Sequence, residues 1–262
     1  MRHVGKDLAP ILERMRAIEE SLPDSLPNLL PYGCDKCDGY GNIIDGNGAR
    51  PCECKKEYFR QKALKRVDLP PEYQQMTLEN FRVKNDSTER LLRIAQVFVD
   101  RYNPPEVYRG LFVHSARPGA GKTHVAVAIM RKLIEKGFRG RFLTYQEGQS
   151  SMVKAAWDAI NRREGVPYFL ERGFLEVDFV LLDDLGSGRH NVTDPIRESV
   201  STFIRDCHTS HTTMLITSNF GLTELSEQFD ETITSRITAA CHVVDCSNLS
   251  DSRLEELSRV EI

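Results

Sequence analysis

Residues 111–126 read L-F-V-H-S-A-R-P-G-A-G-K-T-H-V-A: an apolar run, a glycine-rich turn closing on Gly-Lys-Thr, and the first residues of a helical pattern. A strand that feeds such a turn directly into a helix is the context in which backbone N–H groups converge on phosphate oxygens, aided by the positive end of the helix dipole. The expected cradle is Arg117, Pro118, Gly119, Ala120, Gly121, Lys122, Thr123 and His124, in which the N–H groups of Gly119 to Thr123 would point inward. Lys122 would reach the β- and γ-phosphates of ATP, and the Thr123 hydroxyl would hold Mg²⁺. Ala116 stands where the first glycine of the motif normally sits, and its methyl group is tolerable at negative φ.

Outward from this loop, short apolar runs alternate with helical patterns, the signature of a parallel sheet covered by helices on both faces. Strands are expected at 111–115, 141–145, 179–183, 214–218 and 241–244, and helices at 124–136, 147–163, 194–208 and 222–238. The third strand, in F-V-L-L-D-D-L-G (179–186), runs into Asp183 and Asp184. A buried strand delivers such carboxylates to the sheet edge, where Asp183 would bind Mg²⁺ through water and Asp184 would orient or deprotonate an attacking water. An acidic pair closing a strand can also be a cap or a turn. The strand T-M-L-I-T-S-N-F similarly ends at Asn219, an amide that either serves the same site or simply forms a turn.

Upstream lie four of the seven cysteines, Cys34-x2-Cys37 and, fourteen residues later, Cys52-x-Cys54. The segment is too poor in apolar residues to fold around its own core, so four thiolates on one Zn²⁺ would supply the missing folding energy. An iron–sulfur cluster or a redox pair is the alternative, and Cys207, Cys241 and Cys246 read as core or incidental. Residues 55–66 form a short basic helix that would touch DNA or a protein partner or stay solvated; Pro70 and Pro71 follow it, then a linker with Tyr73, Met76 and Phe81. Near the start, Leu8, Ile11, Leu12, Met15, Ile18 and Leu22 make one apolar helical stripe that must pack on this chain or dock onto a partner.

The order of parts is thus an N-terminal helical region (1–33), a four-cysteine zinc-binding segment with the basic helix (34–68), a linker and start of the ATPase domain (69–109), and the core (110–262). At 262 residues and 40% apolar content the chain can bury a full α/β core, whereas a net charge of −3 requires any nucleic-acid contact to come from a local basic patch. Lys154, Trp157, Arg162 and Arg163 are one candidate, with Trp157 either stacking on bases or, as the preferred expectation, buried. No apolar run is long enough to span a bilayer and no secretory signal opens the chain, which places the expectation in the cytoplasm with no membrane partner.

Taken together, C-x2-C and C-x-C, the basic helix, Pro-Pro, A-R-P-G-A-G-K-T, L-L-D-D-L-G, T-S-N and T-S-R-I resemble the DnaC/DnaI helicase-loader family, over residues 30 to 255. The AAA+ half also resembles the transposition ATPase IstB, and those motifs do not separate the two; the cysteine-rich segment favours the loader. The resemblance implies an AAA+ ATPase with a five-stranded parallel sheet and a minimal or absent lid, using ATP and Mg²⁺, with Zn²⁺ held by the four cysteines. It makes Asn219 the sensor-1 amide, Arg236 an arginine finger donated to a neighbouring subunit and Arg253 a sensor-2 residue. Aspartate at 184, where many AAA+ proteins have glutamate, implies slow hydrolysis. The implied partners are a replicative DnaB-type helicase, single-stranded DNA and further copies of the chain in a hexamer or spiral. An accessory ATPase engaging a transposase, and a zinc-stabilised DNA-binding module that senses ATP without turnover, are the rival functions.

Overall fold

The computed structural model describes residues 34–37, 41–45, 48–67, 69–104, 109–117, 119–145, 151–162, 167–171, 174–188 and 192–246. The apolar stripe of residues 8–22, Pro118, Arg163 and Arg253 lie outside the described residues. The chain divides into two units, Met1–Gln61 and Lys62–Ile262.

In the first unit, β1 (Asn42–Asp45) and β2 (Gly48–Pro51) pair antiparallel between the two cysteine pairs, and α1 (Glu53–Arg66) begins immediately afterwards. The hairpin brings Cys52 back beside the residues that precede it, with the Cys52 amide donating to the Gly41 carbonyl at 2.9 Å.

The second unit is built on a five-stranded parallel sheet. Its strands are β3 (Gly110–His114), β4 (Gly140–Thr144), β5 (Phe179–Leu185), β6 (Thr213–Ser218) and β7 (Cys241–Asp245), in the order β4-β5-β6-β3-β7. Leu111 pairs with Leu215, Val113 with Val244 and Leu143 with Leu182. These strands read as continuous apolar runs because both faces are covered. Leu111, Val113, Leu181 and Leu215 face one core, with α2 (Asp86–Arg101) and α3 (Lys122–Glu135) above them. Phe112, Val180, Leu182 and Ile216 face the other, under α4 (Met152–Arg162), α5 (Asp194–Thr209), α6 (Leu222–Gln228) and α7 (Glu231–Ala240).

Two elements differ from the sequence expectation. The segment read as a linker and start of the ATPase domain carries a helix not among those expected, α2, whose Leu91, Ile94, Ala95, Phe98 and Val99 are buried. Its start is fixed by a reciprocal cap: Asn85 Oδ1 accepts from the Thr88 amide, and Thr88 Oγ1 accepts from the Asn85 amide, both at 3.0 Å. The helix expected over 222–238 is instead two, α6 and α7, because Asp230 accepts from the Ile233 amide at 2.8 Å and starts a new helix. Among the described residues, no helix is long and apolar enough to cross a membrane.

Candidate functional site

The parallel sheet sets the site. The loop after β3 and the C-terminal ends of β5 and β6 open on one cleft of about 530 Å³, the position at which open α/β sheets hold ligands. Gly121 has φ of 84° and caps α3, and a Cβ there would come within 2.6 Å of the Phe81 ring. Ala116 keeps ordinary backbone, since among the described residues only Asp184 and His211 combine positive φ with a side chain. The methyl at position 116 is therefore accommodated without strain.

Lys122 is buried and donates to the Ser115 carbonyl at 3.2 Å and to Asn219 Oδ1 at 2.9 Å. Burial pulls its pKa below the ordinary lysine value. Asn219 Nδ2 in turn donates to Asp184 Oδ1 at 2.7 Å, so the lysine, the amide and the second acid form one chain. Asp184 has φ of 59° and sits in a register shift between Leu182 and Leu185 of β5. This bulge breaks the alternation that would carry neighbouring side chains to opposite faces, and it brings both acids to the cleft.

Asp183 is almost fully buried. Its Oδ1 accepts from Thr217 Oγ1 at 2.6 Å and from Thr123 Oγ1 at 2.9 Å, and its Oδ2 accepts from the Tyr73 hydroxyl at 3.1 Å. Burial raises the Asp183 pKa, and the donors from Thr217, Thr123 and Tyr73 oppose the rise. Thr217 also accepts from the Asp184 amide at 2.8 Å, which ties both acids to β6.

Of the residues selected from sequence, Gly119, Ala120, Gly121, Lys122, Thr123, His124, Asp183, Asp184 and Asn219 line this cleft. His124 Nε2 lies 2.9 Å from the Thr77 carbonyl and 3.0 Å from Asn80 Oδ1, so the preceding segment engages its ring. Arg117 is exposed beside the loop. Arg236 does not line the cleft; it lies on α7 and donates to Ser201 Oγ at 3.4 Å. Sequence reasoning missed Tyr73 and Thr217. Thr217 had a signal, because it stands two residues before Asn219 on the same strand face.

Trp157 corrects another expectation: it is 42% exposed. Helix α4 turns Met152, Ala155, Ala156 and Ala159 into the core, which leaves Lys154, Trp157 and Asn161 on the outer side. Cys207, Cys241 and Cys246 are buried, as expected, and burial pushes the last two thiols up to about 12.

In the first unit, the four sulfurs of Cys34, Cys37, Cys52 and Cys54 lie within 4.8 Å of one another. The Cys34–Cys52 and Cys37–Cys54 separations are 3.7 and 3.3 Å. Four sulfurs around one tetrahedral ion at metal–sulfur distances of about 2.3 Å would stand about 3.8 Å apart, so the set fits a single ion. The Gly41 amide donates to Cys37 Sγ at 3.3 Å, support of the kind that stabilises thiolate ligands. The Cys54 amide is the main influence that lowers the Cys52 thiol to about 7.

A phosphate-type loop after the sheet's first strand, an acid pair two strands away in the sheet order and an amide at the end of the strand between them define an AAA+ nucleotide-binding domain. The family model described as IstB-like ATP binding protein matches residues 111–259, over half of the sequence, and the chain belongs to that family. It is 23% identical over 201 residues to the Bacillus subtilis (strain 168) protein YqaM, covering 74% of this chain and 61% of that one. It is 27% identical over 126 residues to the replicative helicase loader DnaC of Buchnera aphidicola subsp. Schizaphis graminum (strain Sg), covering 48% and 49%. The chain thus spans about half to three-fifths of the length of these curated relatives. A crystal structure of the DnaC helicase loader superposes with a TM-score of 0.56 at 29% identity, covering 67% of this chain and 99% of that one.

Proposed function

We propose that the chain is an ATP-dependent loader of a replicative DnaB-type helicase onto DNA. The observation that carries the reading is the convergence of Lys122, Thr123, Asp183, Asp184 and Asn219 on one cleft, in a chain that also bears the four-cysteine module and is similar to proteins named as helicase loaders.

On this reading Lys122 leaves the Ser115 carbonyl and Asn219 for the β- and γ-phosphates, recovering for its charge the partners that burial denies it. Thr123 releases Asp183 and turns its hydroxyl to the cation, while Asp183 stays anchored by Thr217. A bound Mg²⁺ supplies charge neutralisation across the phosphate oxygens. Asn219, freed of Lys122, holds Asp184 and the attacking water together, and Asp184 orients or deprotonates that water. Because aspartate is shorter than the glutamate usual at this position, turnover is slow. Pro118 and the remaining loop residues cradle the phosphates. Arg236 acts on a neighbouring subunit's cleft, Arg253 acts on its own, and ATP-bound copies assemble into a hexamer or spiral around single-stranded DNA. The four cysteines hold Zn²⁺, which replaces a core the segment lacks. Trp157 and Lys154 offer a base-stacking and a phosphate contact on the outer side of α4.

A second reading rests on the resemblance of the AAA+ half to the transposition ATPase IstB, on which the chain assists a transposase. Co-purification decides between them. The full chain with ATP should retain a cognate DnaB-type helicase and release it after hydrolysis; retention of a transposase and of no helicase would overturn the loader reading.

A further inference from the structure

Tyr73 belongs to no motif, yet it forms part of the cleft wall. Its ring stands edge-on to Phe142 of β4, with centroids 5.7 Å apart and planes at 90°. Its hydroxyl is the donor to Asp183 Oδ2, at 3.1 Å, whereas both threonine hydroxyls fall on Oδ1. A carboxylate oxygen can only accept, so the phenol O–H is the donor in this pair.

The segment carrying Tyr73 is itself fastened around the phosphate loop. Thr77 and Asn80 engage His124, and Phe81 lies edge-on to the same imidazole with centroids 5.3 Å apart. Glu79 pairs with Lys132 of α3 at 2.7 Å. Tyr73 therefore approaches Asp183 from a fixed platform.

We propose that Tyr73 is a positioning residue for the nucleotide site, fixing the rotation of the Asp183 carboxylate so that Oδ1 faces the Thr123 hydroxyl, where the divalent cation is held. The inference rests on the reading of the cleft as a Mg²⁺–ATP site. A carboxylate torsion is broad and roughly two-fold, so donors on Oδ1 alone leave it free to rock. A donor on Oδ2 closes that freedom. Once Thr123 turns toward the cation, Thr217 and Tyr73 are the two hydroxyls still holding Asp183, one on each oxygen. Outer partners of metal-holding carboxylates commonly set cation affinity.

The test compares the full-length wild type with Tyr73→Phe, which keeps the ring against Phe142 and removes only the hydroxyl. Binding of a fluorescent ATP analogue is followed while Mg²⁺ is titrated, and repeated in excess chelator. The expected result is an increase of about tenfold in half-saturating Mg²⁺, with a much smaller change in chelator-state binding. An unshifted Mg²⁺ dependence would overturn the role of Tyr73 while leaving the cleft's function standing. Tyr73→Leu serves as the second variant: if it alone changes Mg²⁺ dependence, ring packing is responsible and the hydroxyl assignment falls. If wild-type protein itself takes up no nucleotide, the reading of the cleft fails first, and this inference with it.

Discussion

Asp183 and Asp184 are adjacent in sequence and have opposite surroundings. Asp183 is 2% exposed and its pKa is raised by burial. A carboxyl whose folded pKa lies above its unfolded value contributes stability that is present below the unfolded pKa and lost as pH rises through the folded one. At neutral pH without nucleotide, the buried Asp183 carboxyl therefore costs stability relative to an uncharged isostere. Asp183→Asn should raise Tm by about 2–4 °C for each kcal/mol relieved and abolish the effect of Mg²⁺ on nucleotide binding. The gain should shrink as pH falls towards about 4, the ordinary carboxylate pKa. Thermal melts across pH check this; a variant less stable than wild type at pH 7 would contradict the account. The importance of these two residues was legible because an apolar strand ending in acids announces itself. The left-handed backbone of Asp184 was not, because a bulge depends on pairing with β6. Tyr73 was illegible for the same kind of reason, since its partner lies 110 residues away.

At the scale of elements, the strands were legible because burial on both faces writes continuous apolar runs into the sequence. The division between α6 and α7 was hidden because their apolar periodicity runs on through the break, and only the Asp230 cap marks it. Replacing Asp230 by alanine should cost about 1 kcal/mol, measured by denaturant unfolding, whereas no loss would mean the cap does not set the break. Close strand packing makes a stronger demand at Gly110, where a Cβ would lie 1.7 Å from the Met214 carbonyl oxygen. Gly110→Ala should destabilise by about 3 kcal/mol or more or fail to fold, and a melt within about 1 °C of wild type would show that β3 and β6 do not approach so closely. The exposed Trp157 has the reverse lesson: an aromatic residue looked like core, but the alanines beside it set the helix's rotation.

Across the whole molecule, two units solve the problem of stability differently. The second buries a continuous core around a sheet; the first has a hairpin and a cluster of four sulfurs. Purified protein should carry about one zinc per chain, and Cys52→Ser should release it and lower the unfolding temperature; iron with visible absorption, or no metal, would contradict the single-ion site. The central claim is that the cleft at the ends of β3, β5 and β6 takes up ATP with Mg²⁺ through Lys122. Equilibrium titration of ATP into the full chain, with Mg²⁺ present, tests it most directly. The account predicts saturable binding at one site that is weakened at least about tenfold in Lys122→Ala; no uptake by the wild type, or equal affinity in the variant, would contradict it.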